Sequence, residues 1–102
     1  MSRRDYTVRL LRVAEDDLTE IVTYIAADRP SAAEALADKF EKNVALLSRH
    51  PRLGRIPEQE DLARMGYRYL VVDNYLVFYI IEKNTVYVHR VLHGARDYLR
   101  LL

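Results

Sequence analysis

Arginine and histidine are the side chains of this sequence best placed by type and position to do chemistry. Arg68 and Arg90 fall in runs rich in Tyr, Val and Ile, where a charged residue is out of keeping with the apolar neighbours Leu70, Val72, Val88 and Leu92. A guanidinium presents a planar fork matched to phosphate or carboxylate, so both are candidates to face negative charge developing on a reacting phosphorus. The structural alternative is an arginine that snorkels from a half-exposed sheet face, or pairs with a carboxylate such as Asp73 or Asp97. His93 could exchange a proton near neutral pH. A structural role, tying the last strand to the tail, is favoured for it. His50, Arg52 and Arg55 surround Pro51 and could grip phosphate, with loop solvation and turn-making as the plainer reading.

Other chemistries find no support. The histidines stand at 50, 89 and 93, and His89 and His93 would need a helix to meet on one face, whereas their surroundings read as a strand; no metal site is expected. Glycine occurs only at 54, 66 and 94, so there is no glycine-rich phosphate loop, and no cofactor is expected. With no cysteine, disulfides and thiolate ligands are excluded.

These residues need elements to hold them. Tyr6–Arg12 has the aromatic and β-branched content of a strand. Leu18, Ile21, Val22 and Ile25 then form a helical stripe, with Glu15, Asp16 and Asp17 near the positive end of its dipole. Asp28-Arg29-Pro30-Ser31 breaks the chain, with Asp28 or Ser31 as caps and Pro30 suited to a first helical turn. A second stripe follows at Ala33, Leu36, Ala37, Phe40, Val44 and Leu47, and Pro51 cannot continue it. Residues 51–65 read as a surface loop with one short helical turn. Three β-rich runs, 67–72, 75–82 and 85–92, are separated by Asp73-Asn74 and Lys83-Asn84, which predicts an antiparallel meander. Tyr98, Leu99 and Leu102 share a helical spacing that predicts a short terminal helix. The expected fold is α+β: a β-α-α-β-β-β two-layer sandwich whose antiparallel sheet has one face under an α-hairpin and the other exposed for binding.

At 102 residues one domain spanning residues 1–102 is expected. The longest apolar run, Tyr75–Ile81, is far below the roughly 20 residues of a membrane span, and no signal core follows the N-terminus, so a cytoplasmic protein is expected. Net charge is only +1, but 13 of the 16 basic residues are arginine. Residues 1–48 carry seven basic and nine acidic groups, and residues 49–102 nine and six. The second half is compatible with a nucleic-acid or acidic partner, although composition alone is better explained by a GC-rich genome that prefers arginine codons.

Four stretches, in this order, resemble the RelE/ParE superfamily across nearly the whole chain. They are Ala14-Glu15-Asp16-Asp17-Leu18 through Tyr24-Ile25; Leu46 through Arg55; Gly66-Tyr67-Arg68 leading to Tyr75-Leu76-Val77-Phe78-Tyr79; and Arg90 through Asp97. The resemblance implies the toxin of a type II toxin–antitoxin, plasmid-stabilisation module, held in a tight complex by a cognate antitoxin. RelE-like members cut mRNA in the ribosome, and ParE-like members inhibit DNA gyrase.

A RelE-like nuclease would use Arg68 and Arg90 to stabilise the phosphorane, with His93 or Tyr98 in proton transfer. Tyr98 lies near the C-terminal catalytic Tyr of such enzymes, but its spacing from Arg90 does not match. RelE-like enzymes also use Lys in the region of His50, Arg52 and Arg55, where this chain has none. The low net charge and the Arg90–His93 stretch favour the ParE-like reading. A third possibility is an inert interaction module that docks through Leu99, Leu101 and Leu102.

Overall fold

The computed structural model describes residues 5–94 and 100–102, in the order β1 (Thr7–Leu10), α1 (Arg12–Ala26), α2 (Pro30–Leu46), α3 (Glu60–Arg64), β2 (Tyr67–Val72), β3 (Tyr75–Glu82) and β4 (Thr85–His93). The first strand stops earlier than the composition of Tyr6–Arg12 suggests, because Arg12 already opens α1. Ala14, which is buried, and the partly buried Leu18, Ile21 and Ile25 form the core-facing stripe of α1. α2 starts with Pro30 in its first turn, where a missing N–H costs nothing. Its N-cap is Arg29 and makes no side-chain hydrogen bond, so neither Asp28 nor Ser31 caps it. Ala33, Leu36 and Phe40 anchor α2 in the core.

The α+β class stands, and the meander β2-β3-β4 is antiparallel as its turns require. Asp73 and Lys83, the first residues of those turns, take positive φ of 53° and 54°. The sheet as a whole is mixed rather than antiparallel throughout. Its order is β1-β4-β3-β2, and β1 runs parallel to β4 with Thr7 opposite Thr85 and Leu10 opposite Val88. The chain crosses over through the helical hairpin before it returns to the sheet, and such a crossover allows parallel pairing.

One sheet face packs Leu70, Val72, Val77, Tyr79, Val86 and Val88 under α1 and α2. The other face is not bare. Leu62 of α3 joins Tyr67, Phe78 and Leu92 in a second cluster, with Leu101 and Leu102 packed against it. Those two leucines are therefore part of the fold rather than free docking surface. Leu99 and Tyr98, and with them most of the expected terminal helix, lie outside the described residues.

A bulge in β4 changes which side chains share a face. Tyr79 lies opposite Val88, but Phe78 lies opposite Arg90, so His89 is an additional residue in the ladder. Beyond it Val91 faces the helices and Leu92 the second cluster.

Candidate functional site

Arg90 is held in a shielded ion pair. β1 pairs with β4 only as far as Val88, and Leu11 donates its N–H to the Val88 carbonyl at 2.9 Å. The next edge groups of β4 fall to Asp17. Its Oδ2 accepts from Arg90 Nε at 2.8 Å and from the Val91 N–H at 2.9 Å, and its Oδ1 accepts from Arg90 Nη2 at 2.9 Å. Arg90 Nη1 also donates to the Leu101 carbonyl at 3.0 Å. The pair is shielded, at 19% and 13% side-chain exposure. The hydrogen bonds to Asp17, and then its charge, raise the Arg90 pKa although burial opposes them.

The sequence suggests Asp73 or Asp97 as arginine partners; Asp73 instead pairs with Lys39 at 3.1 Å, and Asp97 lies outside the described residues. Asp17 was detectable. With Ala14, Leu18 and Ile21 it sits within the i, i+3, i+4 stripe, where a carboxylate needs a cation.

Arg68 meets different partners. Its Nη1 donates to the carbonyls of Gly54 at 3.0 Å and Arg52 at 3.3 Å, which fastens the loop after α2 to the end of the sheet. Register places Arg68 opposite Tyr79, whereas Arg90 is opposite Phe78. Successive strand residues point to opposite faces, so the two side chains leave the sheet from opposite faces, and Arg90 turns at the β4 edge to reach Asp17.

The loop is locked by Gly54. The buried Gly54 N–H donates to Tyr79 Oη at 2.8 Å, and Arg55 exchanges both backbone hydrogen bonds with Tyr69, at 2.8 and 2.9 Å. Burial raises the Tyr79 pKa, while the Gly54 N–H and the charge of Arg68 lower it. The phenol stays protonated at neutral pH. His50, Arg52 and Arg55 are exposed around this lock.

His93 is exposed, with its ring edge-on to Tyr75 at a centroid distance of 5.4 Å. It rims a cleft of about 180 Å³ together with Asp17, Glu20, Tyr24 and Tyr75. Tyr98, the other proton-transfer candidate, lies outside the described residues. His89, which the sequence presents only as an unsuitable metal ligand, is the more enclosed imidazole. Its Nδ1 is 3.1 Å from the Tyr67 hydroxyl, and burial lowers its pKa although Glu82 acts in the opposite direction. Among the described residues no three His, Asp or Glu side chains converge to hold a metal ion.

A separate, apolar feature opens beside β1. Val8 and Leu10 of the strand, Leu18 and Val22 of α1, and Phe40 and Val44 of α2 line a cleft of about 420 Å³. Among the described residues no helix is long and apolar enough to cross a membrane.

No curated protein matches the chain in sequence. Among solved structures, a chain of the chromosomal ParDE toxin–antitoxin system from P. aeruginosa superposes with a TM-score of 0.73 at 17% identity, covering 89% of this chain and 98% of that one. A chain of the RelBE2 toxin–antitoxin complex from Mycobacterium tuberculosis gives a TM-score of 0.61 at 28% identity, covering 93% of this chain and 98% of that one. The sequence profile of the ParE toxin of the type II toxin–antitoxin system parDE matches residues 8–98, the span that holds the helical hairpin, the Gly54 lock and the Asp17–Arg90 pair. The chain therefore belongs to the ParE toxin family of type II toxin–antitoxin systems.

Proposed function

We propose that this toxin arrests growth by inhibiting DNA gyrase in the ParE manner and that a cognate antitoxin neutralises it. The carrying observation is the divergence of Arg68 and Arg90. Cleavage of mRNA needs cations that converge on one phosphorane beside a proton donor and acceptor. Here Arg68 opposes Tyr79 on one sheet face and Arg90 opposes Phe78 on the other, with its charge already met by Asp17. A gyrase inhibitor needs no such convergence, and both arginines are accounted for as structural ties.

The antitoxin is assigned to the cleft beside β1. A lining of eight apolar residues from three elements, with Glu41 as its one charged residue, suits the apolar face of an amphipathic segment that folds as it docks. The ParDE and RelBE2 neighbours come from toxin–antitoxin systems, which accords with a partner of this kind.

Inducing the toxin without its antitoxin, while following mRNA integrity and DNA supercoiling at early times, tests the reading. Gyrase-dependent DNA breaks with intact mRNA are expected. Codon-phased mRNA cuts that vanish in Arg68→Ala would instead establish a RelE-like endonuclease. Absence of growth arrest, with folded protein present, would leave an inert interaction module.

A further inference from the structure

The loop between α2 and α3 has a repeat whose exposed side chains neither its hydrogen bonds nor the core explains. Pro51, Gly54 and Pro57 are buried, and the pairs between them, Arg52-Leu53 and Arg55-Ile56, are exposed. Leu53 keeps 49% of its surface and Ile56 57%, so the two aliphatic side chains present apolar area next to each other on the same loop. The period of three thus sets two arginines and two aliphatic residues side by side on one ridge.

The ridge is held rigidly from behind. Leu53 N–H donates to the His50 carbonyl at 3.0 Å, Gly54 N–H to Tyr79 Oη at 2.8 Å, and Arg68 grips the Arg52 and Gly54 carbonyls. Arg55 is fixed by its two-way pairing with Tyr69. A surface ordered in advance loses little conformational freedom when it binds. Between Arg49 and Pro57 the chain carries three arginines and His50 but no carboxylate. Among the described residues no ion pair engages Arg52 or Arg55.

We infer that residues 52–56 are the ridge on which the toxin docks its target protein, and that the target surface sets carboxylates beside apolar side chains. The inference rests on the reading that the target is a protein. Charge complementarity supplies the acidic half of that description. Leu53 and Ile56 supply the apolar half, since a phosphate backbone would use the arginines and leave the aliphatic side chains without a partner. Position separates the ridge from the antitoxin cleft. The cleft opens at the β1 edge, and Arg55 lies on the β2 edge, with β4 and β3 between them.

Two double variants test it: Arg52→Glu with Arg55→Glu, and Leu53→Ser with Ile56→Ser, each side chain being exposed and outside the core. Growth arrest on induction without antitoxin, binding to purified gyrase, to the cognate antitoxin and to a short duplex DNA, and thermal melting are measured for both. Each variant is expected to lose arrest and to bind gyrase at least about tenfold more weakly. Antitoxin affinity is expected to stay within about threefold and melting to stay near wild type.

Full arrest by either folded variant would overturn the inference, as would selective loss of antitoxin binding. Loss confined to the glutamate variant and shared with duplex DNA would also overturn it, by replacing the protein surface with a phosphate backbone. If both variants lose arrest while the wild type leaves gyrase unbound, the ridge stands and gyrase is removed as the protein it meets.

Discussion

Changing Asp17 to Asn keeps the shape of the side chain but removes the charge that Arg90 faces across 2.8 and 2.9 Å. A shielded guanidinium left without a counterion costs about 3 kcal/mol, and the loss is read from denaturant unfolding. Combining Asp17→Asn with Arg90→Met should recover a large part of that loss, because the second change removes the stranded charge.

At Gly54 the constraint is space. A Cβ there would lie 2.6 Å from Tyr79 Oη and 2.8 Å from the Tyr69 carbonyl, so Gly54→Ala should destabilise by about 1–3 kcal/mol in the same measurement.

His89 gives a pH dependence of known sign. Burial lowers its pKa below the usual 6.5, so the unfolded chain takes up a proton that the folded chain still refuses. This part of the stability is complete above about pH 6.5 and falls as pH drops from there through the lower folded value. Thermal melting between about pH 7.5 and 5 should show that slope, and His89→Gln should flatten it. An unchanged slope in the variant would assign it to the carboxylates instead.

The elements differ in how openly the sequence declares them. The helical stripes of α1 and α2 and the turns at Asp73 and Lys83 depend on neighbours in sequence, and β2 and β3 follow the predicted boundaries. The bulge at His89 leaves a trace as well. Apolar residues alternate at Val86 and Val88 and then shift phase to Val91 and Leu92, as an additional residue in the ladder requires. The loop after α2 shows only prolines and a glycine, because its order comes from Tyr79 and Arg68, 25 and 14 residues away from Gly54.

Tyr79→Phe isolates that dependence. It retains the ring in the core and takes away the acceptor of a buried N–H, at a cost of about 1–3 kcal/mol. Amide exchange at Gly54 and Arg55 should accelerate more than exchange in α1. Equal acceleration throughout would mean that the hydroxyl supports overall stability and does not position the loop.

For the whole molecule the proposed reading divides the labour between the two edges of the sheet, with the antitoxin at β1 and the target at β2. An acidic side chain set among the apolar residues of the β1 cleft, in addition to Glu41, should damage neutralisation and spare toxicity. Val22→Asp is expected to restore growth arrest in cells that also make the antitoxin, as colony counts under joint induction would show. Continued rescue of growth by the antitoxin would move its docking site away from the cleft. The net charge of +1 predicts nothing about either edge, because a local patch such as exposed Arg52 and Arg55 can be basic whatever the whole carries.

The sequence by itself determined the α+β class, the helical hairpin, the meander and the family, since each depends on local periodicity, turn chemistry or the order of motifs along the chain. It also marked Arg68 and Arg90 as residues in need of an explanation. Only the tertiary structure decided what they contact, because their partners, Gly54 and Asp17, are 14 and 73 residues distant and come close through loop closure and the bulge. The parallel pairing of β1 was likewise undetermined by the sequence. A strand's composition fixes that it pairs, whereas its direction follows from the path that the intervening helices take across the sheet.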